Sequence, residues 1–151
     1  MRFQEGAGAV RGSYILLIKL PEAQMVSIGR LKIIYFPRGH YAYVGSAMGG
    51  IKGRLGWHLR ENKKRYWHID YLLDKASIDE AIVCETGERA ECEIARALGA
   101  QFDCIPNFGS SDCKCQSHLF LAGEEMKPKI MKTLNSMNLR PRPLEFDQIE
   151  T

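Results

Sequence analysis

Tyr14, Tyr43, Arg54 and His58 are the residues of this chain whose types and spacing suit work on a phosphodiester. Tyr14 lies in Gly12-Ser13-Tyr14, at the head of a run of β-forming residues. Tyr43 lies in Tyr43-Val44-Gly45, near the end of another. Arg54 and His58, in Arg54-Leu55-Gly56-Trp57-His58, are four residues apart and share a face if the segment is helical. Cleaving a phosphodiester needs an activated water, charge neutralisation at phosphorus and help for the leaving oxygen. Positioning and electrostatics supply most of this. Two phenols, a guanidinium and an imidazole are a kit for that task. One carboxylate completes it, because a hard cation such as Mg²⁺ takes oxygen ligands and often only one from the protein.

A second group has different chemistry. Cys113-x-Cys115-x-x-His118 brings three zinc-competent ligands within six positions, and Cys92, Cys104 or His68 could supply a fourth. The C-x-C spacing is tighter than in the usual structural zinc hairpin and a second pair is missing, so free thiols are the preferred reading and structural Zn²⁺ the alternative. Ser110, Ser111 and Asp112 could instead hydrogen-bond a substrate groove. Cys84 reads as a strand core residue.

The elements that must position these residues follow from periodicity. Ser13 to Leu20 is apolar and β-prone, stopped by Pro21, and reads as a central strand covered on both faces. Gln24 to Ile28 and Leu31 to Phe36 flank Gly29-Arg30, which fits a type II′ hairpin turn. Tyr41 to Ala47 is the next strand, with Tyr41, Tyr43 and Gly45 on one face and Ala42, Val44 and Ser46 on the other. Ile51 to Arg60 is a predicted helix with Leu55 and Leu59 as its buried pair. A charged link from Glu61 to Arg65 leads to a short helix, Trp67 to Leu73, and then a strand, Ile78 to Cys84. Thr86-Gly87 is placed to cap a helix from Glu88 to Leu98, ended by Gly99. Gln101 to Ile105 and Ser117 to Leu121 are minor strands around an Asn107 to Cys115 loop. Glu124 to Met137 has a helical stripe of Met126, Ile130, Leu134 and Met137.

The expected fold is α+β, a small and mainly antiparallel sheet flanked by helices. One domain spans 1–137, with a core at 12–98, an extension at 99–137 and a tail at 138–151 that is extended or disordered. The length of 151 residues suits one core. Hydrophobic residues at 45% and charged residues at 26% exclude wholesale disorder. A net charge of +3 permits nucleic-acid binding without requiring it. No apolar run is long enough to span a bilayer, and the N-terminus lacks a signal-peptide core, so a cytoplasmic protein is expected.

Taken in order, Gly12-Ser13-Tyr14, Tyr43-Val44-Gly45-Ser46-Ala47, Arg54-Leu55-x-x-His58 and Ala90-Glu91-Cys92-Glu93-Ile94 resemble the motifs of the GIY-YIG nuclease superfamily. The likeness is to a prokaryotic subfamily that occurs alone or joined to a glycosylase of the endonuclease III type, and extends through Trp67 to Leu72 and Gly109 to Leu119. It implies a GIY-YIG-like fold with an extra hairpin between the tyrosine motifs. It implies a Mg²⁺- or Mn²⁺-dependent endonuclease acting on DNA in preference to RNA, with repair or branched intermediates as candidate substrates. By position, Tyr14 orients or deprotonates the attacking water and Tyr43 orients water or phosphate. Arg54 neutralises phosphate charge, His58 hydrogen-bonds Tyr14 or phosphate, and Glu91 holds the metal. Glu93 is the competing ligand, about 200° away around the helix. His68, Ser111, Cys113, Cys115 and His118 are secondary candidates. Serine stands at position 13 where the motif carries isoleucine, and a late asparagine of the family has no clear counterpart. The second expectation is a non-catalytic nucleic-acid-binding module on the same fold. Lys63-Lys64-Arg65 followed by Tyr66-Trp67 is a candidate phosphate-tracking and stacking patch.

Overall fold

The computed structural model describes residues 11–29, 32–60, 63–86, 88–110 and 113–144. Six strands form one sheet, β1 (Gly12–Leu20), β4 (Gly39–Ala47), β5 (Ser77–Glu85), β6 (Asp103–Cys104), β7 (Leu119–Ala122) and β8 (Arg142–Leu144), in the order β6-β7-β4-β1-β5-β8. Every neighbouring pair is antiparallel. A separate ribbon pairs β2 (Gln24–Ser27) with β3 (Ile33–Phe36). Four helices flank the sheet: α1 (Ile51–Leu59), α2 (His68–Leu73), α3 (Glu91–Gly99) and α4 (Met126–Ser136). The fold is therefore α+β with a mainly antiparallel sheet. Among the described residues no helix is long and apolar enough to cross a membrane.

Both faces of the sheet are covered, and β1 and β4 are buried at nearly every position. Tyr14, Leu16 and Ile18 with Tyr41 and Tyr43 pack toward α1, α2 and the ribbon. Ile15 and Leu17 with Ala42 and Val44 pack toward Ile94 and Leu98 of α3 and Ile130 and Leu134 of α4. This is the two-sided burial that the continuous run in β1 demands.

Several boundaries differ from expectation. The closing pair of the ribbon is Ser27 with Ile33, so five residues connect its strands, not a two-residue turn at Gly29-Arg30; Arg30 and Leu31 lie outside the described residues. The buried pair of α1 is Ile51 and Leu55, with Leu59 only partly covered. Helix α3 begins at Glu91, not Glu88: the Thr86 hydroxyl accepts the Glu88 N–H in a local turn, and the helix starts from Ala90 without a side-chain cap. The tail expected at 138–151 is corrected as well. Arg142–Leu144 forms β8 against β5, so the domain runs past residue 137. Pro143 sits there on the sheet's edge, where a missing N–H costs no ladder bond, and Arg142 pairs with Glu85 at 2.7 Å.

Candidate functional site

The site lies at the end of the sheet where β1 begins and β4 ends. Tyr14 on β1 is paired with Gly45 on β4. A Cβ at residue 45 would stand 2.4 Å from the Tyr14 hydroxyl and ring, so the tyrosine lies flat over a position only glycine can fill. Tyr43, two residues earlier, projects from the same face. Met48 to Gly50 then turn the chain into α1, where Ile51 and Leu55 anchor the helix on the sheet.

That anchoring aims His58 at Tyr14. The Tyr14 hydroxyl and His58 Nε2 are 2.6 Å apart, and both residues are buried. Burial, with Lys63 and Arg54 adding positive charge, pushes the His58 pKa down to about 3. Burial beside Tyr43 raises that of Tyr14 well above the ordinary phenol value, against the opposing pull of Arg54. Both groups are thus neutral at physiological pH. The tautomer follows from the count of unpaired atoms. If Tyr14 donates to Nε2, the Nδ1–H of His58 is the one atom of the pair that lacks a partner among the described residues. If Nε2 carries the proton instead, the Tyr14 proton and the Nδ1 lone pair are both stranded. We therefore assign the proton to Nδ1.

Arg54, one turn before His58, donates to the Ser46 carbonyl at 2.9 Å, with its guanidinium carbon 4.5 Å from the centre of the Trp67 ring. Backbone and aromatic ring hold the fork close to Tyr14. Glu91, in the first turn of α3, is a carboxylate whose charge reaches this group. Its charge raises the pKa of Tyr14 and, after burial, that of Tyr43. Its Oε2 lies 3.8 Å from His118 Nδ1 and its Oε1 3.5 Å from Arg89. Glu93 is exposed on the other side of the helix.

The wall beside the site rests on Asp70, a residue outside the sequence-derived set. Its fully buried carboxylate accepts from Trp57 Nε1 at 3.1 Å and from the Tyr66 and Trp67 N–H groups at 2.9 and 3.0 Å. The Lys63 ammonium lies 3.7 Å away, and also donates to the Trp57 and His58 carbonyls that end α1. The signal was an aspartate in the first turn of a helix, a capping position. Lys63 is consequently a buried brace, not a phosphate contact, and Arg65 pairs with Asp74. Lys64, Arg65, Tyr66 and Trp67 are what the patch exposes.

His68 does not join Tyr14. Its Nδ1 accepts the Gly109 N–H at 2.8 Å and its ring packs on Phe108, which in turn packs on Tyr43. It fixes the loop after β6. Ser111 lies outside the described residues. Cys113, Cys115 and His118 come together with Cys92 of α3, their ligand atoms all within 4.8 Å of one another. This group could hold a metal ion. Cys104 and His68 are not in it.

No curated protein and no solved structure matches the chain. A family model described as a domain of unknown function, DUF123, matches residues 13–139. The match takes in Tyr14, Tyr43, Arg54, His58, Glu91 and the cysteine–histidine group, and the chain belongs to the DUF123 family.

Proposed function

We propose that this protein is a divalent-metal-dependent endonuclease of the GIY-YIG type, acting on DNA in preference to RNA. The observation that carries the reading is the hydrogen bond of Tyr14 to a buried, neutral His58, with Arg54 and Glu91 both acting electrostatically on Tyr14. Glu91 would hold Mg²⁺ or Mn²⁺: its side chain is partly open, and its ion pair with Arg89 at 3.5 Å is loose enough to exchange. When bound, the cation supplies charge neutralisation at the phosphate and at the leaving oxygen.

The protein's own residues do the rest. Arg54 receives the phosphodiester, whose charge suits its planar fork. The Tyr14 oxygen, its own proton hydrogen-bonded to Nε2, offers a lone pair to the attacking water. As the water oxygen bonds to phosphorus and the ester P–O bond breaks, a water proton passes to Tyr14, the Tyr14 proton passes to His58, and the leaving oxygen takes a proton from solvent. The bound phosphate's negative charge raises the His58 pKa from its low resting value, so the imidazole becomes an acceptor when substrate is present. Tyr43 orients water or phosphate from the facing strand.

A second reading is a nucleic-acid-binding module without catalysis. It is favoured by the raised tyrosine pKa values and the low one at His58, which leave the resting site without an ionised base. Labelled single-stranded, duplex and branched DNA and matching RNA, incubated with protein in Mg²⁺, Mn²⁺ or EDTA, separate the two. Metal-dependent cutting supports the nuclease. Binding that weakens with salt, without cutting, supports the module, and absence of both removes each.

A further inference from the structure

We propose that Cys92, Cys113, Cys115 and His118 form a tetrahedral zinc site, with Glu91 as the outer partner that orients the histidine ligand. The site does not depend on the nuclease reading; only the link through Glu91 touches it.

Three thiolates and an imidazole are soft and borderline donors that suit Zn²⁺ and exclude Mg²⁺ or Ca²⁺. Zn–S bonds of about 2.3 Å place tetrahedral ligands about 3.7 Å from one another. Cys113 Sγ and His118 Nε2 are already 3.5 Å apart, and no pair of ligand atoms exceeds 4.8 Å, so closure needs contraction of about 1 Å at most. With Nε2 on the metal, His118 Nδ1 carries the proton, and Glu91 Oε2 lies 3.8 Å from that nitrogen, so a small shift of the carboxylate would close a hydrogen bond. A carboxylate on the far nitrogen of a ligating histidine is the arrangement that fixes its tautomer and raises its basicity.

The backbone holds this geometry. His118 is clamped on both sides, its N–H to the Phe108 carbonyl at 2.8 Å and its carbonyl to the Val44 N–H at 2.9 Å. Cys92 comes from α3, so the ion staples the loop between β6 and β7 to that helix. On binding, the three thiols release their protons to solvent. Three thiolates and Zn²⁺ leave one net negative charge, which Arg96, facing Cys115, offsets. A cavity of about 680 Å³ bordered by Cys92, Arg96, Lys114 and Cys115 gives the metal a route in and out.

The consequence reaches the candidate active site. Glu91 Oε2 lies toward His118 and Oε1 toward Arg89, so a zinc-held His118 restrains a carboxylate whose charge reaches Tyr14 and Tyr43. The same loop carries Phe108 against Tyr43.

The test is metal analysis of the full chain purified under reducing conditions, followed by exchange with Co²⁺. We expect about one zinc per chain and, with cobalt, the intense visible bands of a tetrahedral thiolate site. Cys92→Ser and Cys113→Ser should each weaken cobalt binding at least ~10-fold, Cys104→Ser should leave it unchanged, and Glu91→Gln should keep the stoichiometry with affinity lowered by at most about 10–100-fold. Alkylation of the wild-type chain needs no variant to fold: zinc should protect Cys92, Cys113 and Cys115 until a chelator is added, while Cys104 reacts throughout. A chain that takes up neither metal, equal loss in Cys104→Ser, or alkylation indifferent to chelator overturns the proposal. Zinc loss on Glu91→Gln beyond that range would place Glu91 among the direct ligands and overturn its outer role. Zinc binding without any nuclease activity would leave this site standing and remove only the reading of the function.

Discussion

Acid should unfold this protein in part through one imidazole. His58 has a folded pKa of about 3 against 6.5 for a free histidine, because it is buried next to Lys63 and Arg54. Below pH 6.5 the unfolded chain takes up a proton at this residue that the folded chain refuses. Stability from His58 is therefore fully present above that pH and is lost progressively as pH falls toward 3. At about pH 5 the loss is about 2 kcal/mol, the free energy of a 1.5-unit gap below the unfolded pKa. Urea unfolding of wild type and His58→Gln at about pH 8 and about pH 5 isolates it, because carboxylates and the other histidines titrate alike in both. Glutamine can still accept the Tyr14 proton. The wild type should lose about 2 kcal/mol more than the variant over that range. Equal losses in the two proteins would refute the buried, neutral histidine and with it the tautomer assigned to the Tyr14 pair.

Three further outcomes follow from the geometry. Gly45→Ala puts a methyl 2.4 Å from the Tyr14 ring and should cost about 1–3 kcal/mol in thermal or urea unfolding, with cleavage lost through displacement of Tyr14; a variant of wild-type stability and activity contradicts the packing. Asp70→Ala strands the Lys63 ammonium and two backbone N–H groups and should cost about 3 kcal/mol by urea unfolding; a loss below about 1 kcal/mol would show that the network contributes little. Arg54→Ala should lower the slope of log affinity for duplex DNA against log salt by about one, and an unchanged slope would mean that Arg54 meets no phosphate.

Continuous runs made β1 and β4 legible, because two-sided burial leaves apolar stretches and a glycine under a tyrosine leaves a short motif. Arg54 and His58 were legible as an i,i+4 pair; helix geometry said only that one of Glu91 and Glu93 can face the site, and the resemblance to the family motif favoured Glu91. What the sequence hid was non-local. Cys92 is more than twenty positions from Cys113, and three residues competed as the fourth ligand until the fold brought one of them near. Asp70 stayed outside the candidate set because its partners Trp57 and Lys63 precede it by thirteen and seven positions. Arg142–Leu144 looked like tail because two prolines flank and occupy it, and an edge position is what tolerates them. The start of α3 was misplaced by a threonine whose hydroxyl closes a turn and not a helix.

If Glu91 holds the cation of the proposed phosphodiester hydrolysis, single-turnover cleavage of labelled DNA in Mg²⁺ by wild type and Glu91→Gln will separate the two proteins, with DNA affinity and zinc content measured on the same preparations. Wild type alone should cleave, and the variant should retain affinity and zinc stoichiometry. Cleavage by Glu91→Gln at the wild-type rate would rule Glu91 out as the metal ligand.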